Sequence, residues 1–493
     1  MQRLTFSKRW LFLLAISACA FALTTGNASA SFDVTDYGAA GDGETLDTPA
    51  IQKAVDRCAK QGGGTVHLPA GTYLSGTIHL RSHVTLHLAA GATLLGSTSL
   101  EHYPENAQKL RSYTENYVTR SLIYGEKLEN VSITGRGTID GQGASFADRF
   151  GSTYKKRPYI MRLIECEDVL VENVTIRNSP MWVQHYLGCR DVALRGITVK
   201  SRVAANNDGI NINSCRNVRI SDCHIVSGDD AIVLKSSSKL PTKHVTITNC
   251  VLSSLCNAFK LGTESNGGFQ DIAVSNLVIY DTRLAGIALE EVDGGTLVRV
   301  GISNVVMRDV GCALFLRLGN RARPYPGQKK PGMGAMHDVM ISNVQATGVG
   351  PTGGSITGQP GKPLGNVTLS NIRISHRGGG TLEDARREVP MRPEDYPEFS
   401  MFGRLPSYGL FVRHVEGLHL YNVHLDFAKS DLRPAVVLKN ASEVELGHVS
   451  AERASNGKPS VVARENVSGL TVYNSPGLEI TGLAPGSETP SDK

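Results

Sequence analysis

Residues 245–276 read VTITNCVLSSLCNAFKLGTESNGGFQDIAVSN, and the five residues that open this stretch return, slightly altered, at its end. The same phrase recurs along the chain as VLVEN at 169, VRISD at 218, VGISN at 300, VMISN at 339, VTLSN at 367, LHLYN at 418 and LTVYN at 470. Its usual spacing of about 23 to 28 residues is typical of solenoid proteins, in which each repeat stacks on its neighbour.

Each phrase alternates apolar and polar residues, as a β-strand does, and its β-branched residues suit a pleated surface. The final Asn tolerates a left-handed backbone and can hydrogen-bond a copy of itself in the next repeat. Leucine-rich repeats have a similar period, but no repeat here carries their L-x-x-L-x-L-x-x-N framework. We therefore predict an all-β fold, a single-stranded right-handed parallel β-helix with an N-terminal helical cap.

The chain divides into four predicted segments. Residues 1–30 combine a basic start, an apolar run and an A-x-A site, as signal peptides do, so we expect a secreted or periplasmic protein cleaved after Ala30. Cleavage before Cys19 with lipid anchoring is the alternative. Residues 31–75 should form the cap and the entry to the β-helix, with helical spacing over 47–61. The β-helix should span 76–480, with loop insertions near 318–336 and 378–407, and 481–493 should be a disordered tail.

Charge and cysteine content exclude several classes of protein. A net charge of +5 over 493 residues, without a long Lys/Arg run, argues against nucleic-acid binding. No later stretch approaches the ~20 apolar residues of a membrane-spanning helix. Eight of the nine cysteines lie beyond Cys19, too sparse for a disulfide scaffold and without a C-x-x-C pair, so we expect buried thiols. We also expect a monomer without a cofactor or a metal.

Three acidic residues recur in two neighbouring repeats. Asp208 lies in NNDGI at 206–210, and Asp229 and Asp230 lie in SGDDAI at 227–232, so the two sites should sit on adjacent coils ~4.8 Å apart. Crowded carboxylates raise at least one pKa, which gives a protonated acid beside ionised partners. Hydrolysis of a glycosidic bond requires that combination. The alternative is that these residues only form turns.

These motifs resemble the N-T-D and G/Q-D-D motifs of glycoside hydrolase family 28, which contains polygalacturonases and rhamnogalacturonan-degrading enzymes. Similar family segments are FDVTDYGAAGDGETLDTPAIQKAV at 32–55, GGGTVHLPAGTY at 62–73 and NSPMWVQH at 178–185, so the resemblance covers most of the chain. It implies that Asp229 is the general acid and that Asp208 and Asp230 hold and deprotonate water. It further implies inversion, with acid and base ~6.5 to 9.5 Å apart, on a pectic poly- or oligosaccharide of galacturonan or rhamnogalacturonan type.

Two family motifs are altered. The Gly-His motif should fall near Leu255–Ala258, where there is no histidine, and the R-I-K motif should fall within 286–290, where Ala288 and Glu290 replace both cations. In polygalacturonases those cations meet the sugar carboxylate. Cations that could replace them, or else be merely solvated, are Lys235, Lys260, Arg317, Arg321 and Arg323. We predict that one or both lysines bind an acidic sugar.

Other residues are candidates for substrate contact. We expect Asn206 and Asn257 to face the substrate, and Glu264 and Glu290 to accept hydrogen bonds from a neutral sugar such as rhamnose or galactose. Trp182 and His185 could form a stacking platform and a polar contact, or be a core tryptophan and a surface histidine.

Two other functions remain open at this stage. A polysaccharide lyase on the same fold would use Ca²⁺ and a basic residue. A non-catalytic β-helix would bind carbohydrate without turnover.

Overall fold

The computed structural model describes residues 31–106, 109–112, 119–152 and 154–482. The predicted signal peptide, the alternative at Cys19 and residues 483–493 of the predicted tail lie outside these ranges. Within them the chain forms 32 strands and two α-helices, α1 (Thr48–Lys60) and α2 (Leu382–Arg386). No helix in these ranges is both long and apolar enough to cross a bilayer.

The strands of the first coils are short. They are β1 (Ser31–Asp33), β2 (Asp42–Leu46), β3 (Gly64–Leu68), β4 (Gly71–Ser75), β5 (Ile78–His79), β6 (Val84–Leu88), β7 (Ala92–Gly96), β8 (Ser121–Glu126), β9 (Glu129–Gly135), β10 (Thr138–Asp140), β11 (Tyr159–Ile164), β12 (Glu167–Glu172), β13 (Thr175–Arg177), β14 (Gln184–Leu187), β15 (Arg190–Arg195) and β16 (Thr198–Ser201).

Many of the later strands are long enough to pass round a corner of the coil. They are β17 (Ile210–Asn213), β18 (Arg216–Ser221), β19 (His224–Ser227), β20 (Ile232–Ser236), β21 (Thr242–Ser254), β22 (Phe259–Ser265), β23 (Phe269–Glu291), β24 (Thr296–Leu318), β25 (Ala335–Val349), β26 (Gly354–Thr357), β27 (Leu364–Gly378), β28 (Leu410–Lys429), β29 (Val436–Gly447), β30 (Ser450–Ala451), β31 (Val461–Tyr473) and β32 (Ile480–Thr481).

Each strand pairs in parallel with the matching strand of the next coil. The pairings follow three series, which begin β1–β3–β6–β9, β2–β4–β7–β10 and β5–β8–β11–β14. The third series, called the site sheet here, continues through β17, β20 and β22 into the last residues of β23 and β24. This stacking confirms the predicted parallel β-helix.

The first apolar residue of each repeated phrase points inward. Val218, Val245, Ile272, Val300 and Val339 are in register on successive coils and are at most 2% exposed. Burying a side chain of this size stabilises the fold by roughly 1.5–3 kcal/mol. Because each coil shares its column with the coils on both sides, the core grows along the axis of the stack.

The Asn that ends each phrase forms the predicted ladder. The Nδ2 of Asn276 donates to Oδ1 of Asn249 at 3.1 Å, and Asn304 donates to Asn276 at 3.2 Å. Asn343, Asn371 and Asn422 continue the column. All have a φ between 52° and 56°, the left-handed region that Asn tolerates best after Gly.

Helix α1 covers the N-terminal end of the stack, as its residue spacing predicts. Its Ile51, Ala54, Val55 and Cys58 are fully buried and face β1, β3, β5 and β6. The eight described cysteines are free thiols, and seven of them are buried, as expected.

Two segments interrupt the coils, residues 319–334 between β24 and β25, and residues 379–409 between β27 and β28. The second, called the long insertion here, packs Val389, Phe399 and Phe402 onto the site sheet. It covers the outward side chains Ala288, Phe315, Phe411 and Val437. The outer face of the site sheet is therefore covered from β23 onward. We call the outer face from β14 to β22 the groove, and the long insertion closes it at the β23 end.

Buried arginines fix the long insertion to the β-helix. Arg317 donates to the carbonyl oxygen of Met391 at 2.8 Å, and Arg413 donates to that of Val389 at 2.6 Å. Arg433 pairs with Asp431 at 2.7 Å, with both side chains fully buried, and it also donates to the carbonyl of Leu405. Burial alone would raise the pKa of Asp431, but the hydrogen bonds and charge of Arg433 lower it.

We expect the substitution Arg433→Met to lower the free energy of unfolding by about 3–5 kcal/mol, because it leaves the carboxylate of Asp431 buried without its cation. Urea denaturation measures this change. The control is Arg308→Met, which removes a guanidinium exposed at 61% and should change stability by no more than about 0.5 kcal/mol. Equal effects of the two substitutions would contradict the assignment.

Candidate active site

The three aspartates lie where the chain enters two neighbouring strands of the site sheet. Asp208 precedes β17, and Asp229 and Asp230 precede β20. These strands are paired in register, and the backbone N–H of Gly209 donates to the carbonyl oxygen of Asp230 at 2.9 Å. The expectation that the two acidic sites sit on adjacent coils is confirmed.

Asp208 is buried beside a lysine. Its Oδ2 lies 3.7 Å from Nζ of Lys235, and both side chains are less than a tenth exposed. Burial, then the charge of Asp229, raises the pKa of Asp208 well above its ordinary value, while Lys235 opposes the shift. Burial works against the charged form of Lys235, yet Asp208 and Glu264 raise its pKa overall. Asp208 and Lys235 therefore form a buried ion pair at the base of the groove.

Asp230 is held by an amide and a second lysine. Its Oδ1 accepts hydrogen bonds from Nδ2 of Asn257 at 2.9 Å and from the backbone N–H of Asn257 at 3.2 Å. Its Oδ2 lies 3.6 Å from Nζ of Lys260. These contacts fix both oxygens and offset the negative charge of Asp230 without a contribution from solvent.

Asp229 is less buried than its two neighbours and faces the groove. Its Oδ1 accepts from the backbone N–H of Asp230 at 2.9 Å, and the hydroxyls of Ser227 and Ser254 donate to its backbone carbonyl at 2.5 and 2.6 Å. Burial, then the charge of Asp230, raises the pKa of its carboxyl, against the opposing charge of Lys260. Asp229 therefore retains a proton to a higher pH than an ordinary aspartic acid.

Lys260 joins the aspartates to two glutamates. Its Nζ lies 3.4 Å from Oε2 of Glu290 and 3.9 Å from Oε1 of Glu398, besides the contact with Asp230. Burial, then the charges of Glu398 and Asp230, raises the pKa of Glu290 to about 8, although Lys260 opposes the shift. The alternative that Lys235 and Lys260 are merely solvated is wrong, because both are buried against carboxylates.

The other predicted cations have different partners. Arg317 is buried beneath the long insertion, and Arg321 pairs with the buried Asp293. The backbone N–H of Arg323 also donates to Asp293. Arg321 nevertheless reaches the groove, because its guanidinium lies 5.7 Å from the ring centre of Tyr396.

Trp182 and His185 lie one coil before Asp208 and are buried. The two rings meet edge to face, with their centres 5.1 Å apart. Nζ of Lys235 lies 4.8 Å from the ring centre of Trp182. Burial, then the charges of Arg162 and Lys235, lowers the pKa of His185 well below its ordinary value, so the imidazole is neutral. The alternative of a surface histidine is wrong, and Trp182, at 5% exposed, supports Lys235.

The two predicted asparagines have partners in the protein. Oδ1 of Asn206 accepts from the guanidinium of Arg157 at 3.1 Å. Asn257 holds Asp230 with its Nδ2 and accepts the backbone N–H of Ala285 at 3.0 Å with its Oδ1. Asn257 thus fixes the carboxylate of Asp230 on the preceding coil and the backbone of Ala285 on the following coil.

Three residues of the site did not emerge from sequence patterns. Glu398 and Tyr396 come from the long insertion, and Cys256 stands beside Asp229 where the family has histidine. Nothing in the repeat marks the first two, whereas Cys256 could have been found by its place in the altered motif. Burial, then the charges of Asp229 and Asp230, raises the pKa of the Cys256 thiol, so it stays protonated.

Comparison with known proteins assigns the family. Residues 58–390 match the family described as Glycosyl hydrolases family 28. A probable polygalacturonase of Vitis vinifera is 33% identical over 371 residues, covering 70% of this chain and 74% of the relative.

Solved structures agree with this match. An exopolygalacturonase from Thermotoga maritima has a TM-score of 0.63 at 26% identity, covering 70% of this chain and 87% of its own. The family 28 exopolygalacturonase of Yersinia enterocolitica shares the fold, with a TM-score of 0.64 at 21% identity, covering 92% of this chain and 79% of its own. With most of its length matched, this chain belongs to glycoside hydrolase family 28 and is a glycoside hydrolase.

Proposed function

We propose that the protein hydrolyses glycosidic bonds of pectic poly- or oligosaccharides with inversion, using Asp229 as the general acid and Asp208 with Asp230 as the base. The observation that carries this proposal is the contrast between neighbouring carboxyls. Asp229 has a raised pKa and faces the groove, whereas Asp230 is fixed by Asn257 and Lys260. Different environments of this kind separate an acid from a base.

In the proposed reaction, Asp229 gives its proton to the glycosidic oxygen as the bond from that oxygen to the anomeric carbon breaks. A water molecule held by Asp208 and Asp230 attacks the anomeric carbon from the opposite face, and one of these carboxylates takes its proton. Lys235 and Lys260 offset the charges of Asp208 and Asp230 before and after the transfer. The lysines therefore act on the aspartates and need not touch the sugar.

The pectic substrate is supported by the names of relatives. The relative from Vitis vinifera and the structure from Thermotoga maritima are both described as polygalacturonases. The weakly basic chain, with its net charge of +5, also suits a polyanionic polymer.

We further propose attack at a chain end. The long insertion covers the site sheet from Ala288 onward. It therefore blocks a polymer that lies along the groove from extending past this end of the site. The Thermotoga maritima structure is described as an exopolygalacturonase, which agrees with this reading.

The lyase alternative has weaker support. In the described part of the chain, the candidate metal ligands beside the groove are Asp229, Asp230 and Cys256, within 4.8 Å of one another. Ca²⁺ prefers six to eight oxygen ligands, and a protonated thiol supplies none. A non-catalytic solenoid would not require a carboxyl of raised pKa beside two further aspartates and two buried lysines.

Export through residues 1–30 remains part of the proposal, as does action as a monomer.

We expect Asp229→Asn to lower kcat by about 10²–10⁴-fold, because the amide cannot donate the proton to the leaving oxygen. Release of reducing ends from pectic oligosaccharides measures this loss, and NMR should show the inverted anomer as the first product. Asp281→Asn, an exposed aspartate on the same β-helix, is the control and should retain activity. A retained anomer, or an unsaturated product absorbing in the ultraviolet, would rule out the mechanism.

We expect a bell-shaped dependence of kcat/KM on pH. The general acid must be protonated, so activity falls as pH rises through the raised pKa of Asp229, above the ordinary 3.8. At low pH, activity falls as the base takes up a proton. Because the pKa of Glu290 is about 8, the control is Glu290→Gln. The alkaline limb should persist in that variant, and its disappearance would assign the limb to Glu290.

We expect digestion of a pectic polymer to release small sugars from the outset, with little early loss of viscosity, since the long insertion closes the groove. Chromatography of early products, with parallel viscometry, makes the measurement. A broad early ladder of oligosaccharides would show attack within the chain instead.

A further inference from the structure

Beyond Asp230, where the long insertion meets the site sheet, several side chains that take no part in the proposed reaction lie close to Lys260. They are Glu290 of the β-helix and Tyr396 and Glu398 of the long insertion, with Glu264 beside Arg321, which also reaches Tyr396. We call these residues, together with Lys260, the end pocket. The family residues expected to bind a sugar carboxylate are absent here, so its own side chains must indicate what it binds.

The positive charge in the end pocket is already shared. Lys260 lies 3.4 to 3.9 Å from three carboxylates, those of Glu290, Asp230 and Glu398. Glu264 adds a fourth carboxyl, with Arg321 paired to Asp293. A galacturonate carboxylate entering this space would meet the like charges of Asp230 and Glu398, and among the described residues the two cations that reach it, Lys260 and Arg321, are already paired.

The glutamates also keep oxygens that lack donors. Within the described residues, Oε2 of Glu264, Oε1 of Glu290 and Oε2 of Glu398 accept no hydrogen bond, although all three atoms are buried. Glu290 is fully buried and Glu264 is 8% exposed. Buried carboxylate oxygens require donors, and sugar hydroxyls are donors, whereas a second carboxylate is not.

Tyr396 provides an apolar face above these acceptors. Its side chain is 58% exposed, and its hydroxyl accepts from Oγ1 of Thr263 at 2.9 Å, which fixes the ring. Nζ of Lys260 lies 5.7 Å from the ring centre. An exposed aromatic ring held rigidly beside hydrogen-bond acceptors suits a pyranose, which has an apolar face and a rim of hydroxyls.

We propose that the end pocket binds the ring of a neutral sugar, a hexose, 6-deoxyhexose or pentose, and discriminates against a uronic acid. Glu398 and Glu264 accept hydrogen bonds from its hydroxyls, Tyr396 stacks on its apolar face, and Asp230 and Glu290 hold Lys260 in place. The proposal rests on hydrolysis of pectic chains and selects, among them, those that present a neutral sugar at the closed end.

The test uses two oligosaccharides of equal length and linkage, an oligogalacturonide and its carboxyl-reduced counterpart, in which each acid is a primary alcohol. Binding is measured by calorimetry to the Asp229→Asn variant, so the result does not depend on turnover. We expect the neutral ligand to bind about tenfold or more tightly than the acidic one, because like-charge contacts are removed. Equal or tighter binding of the acidic ligand would overturn the proposal.

A second variant assigns the preference to the insertion. Glu398→Gln, made in the Asp229→Asn background, should reduce the ratio of the two affinities by about tenfold, since the amide no longer repels a carboxylate. The control is Glu394→Gln. Glu394 is an exposed residue of the long insertion that pairs with Lys330, and its substitution should leave the ratio unchanged. An unchanged ratio in Glu398→Gln would overturn the assignment.

Failure of the proposed function would look different. It would show as no hydrolysis of either oligosaccharide, or of rhamnogalacturonan fragments, by the unsubstituted enzyme. The affinity ratio would still report on the end pocket.

Discussion

Parallel pairing of each coil with the next, about 4.8 Å apart, is the constraint on which the rest of the structure depends. It places matching positions of successive coils in contact. Inside, this produces continuous aliphatic columns, and at one corner it produces the Asn ladder. On the outer face of the site sheet, the same spacing brings Asp208 within one strand of Asp230, although 21 residues separate them in the chain.

Because these aspartates lie so close together, their negative charges repel one another. Three carboxyls crowd the entrance of β17 and β20, and buried carboxylates are costly unless they are paired. Lys235 and Lys260 lie later in β20 and β22 and turn back on Asp208 and Asp230, at 3.7 and 3.6 Å. Asp229 has no such partner within 4 Å in the described structure, and its pKa is raised. The pKa of Asp208 is raised as well, so Asp229 is distinguished by its more exposed position without a paired lysine, which suits it to give a proton to a ligand in the groove.

The regular parts of the molecule could be predicted from the sequence, because the repeat indicates which residues of successive coils lie side by side. The strands, the ladder, α1 and the adjacency of the aspartates follow from period and alternation. The partners of Lys260 could not be predicted, because Glu398 belongs to a segment without periodicity. His185 was ambiguous for a related reason: its position in the repeat gives its outward direction, but its burial depends on Tyr159 and Trp182 packing around it. The hydrogen bond from Asn257 to Asp230 could not be predicted either, because it depends on the register of neighbouring coils.

The altered R-I-K motif and the long insertion are best understood together. Ala288 is in register with Lys260 on one side and Phe315 on the other, and it is buried in the cluster that seats Phe399 and Phe402. A guanidinium at position 288 would have to be buried beneath that apolar contact without a partner, which is costly. The small apolar residue therefore allows the insertion to dock, and Lys260 restores a cation one coil earlier. Because Asp230 and Glu398 share that cation, the end of the groove gains a lysine without gaining a free positive charge.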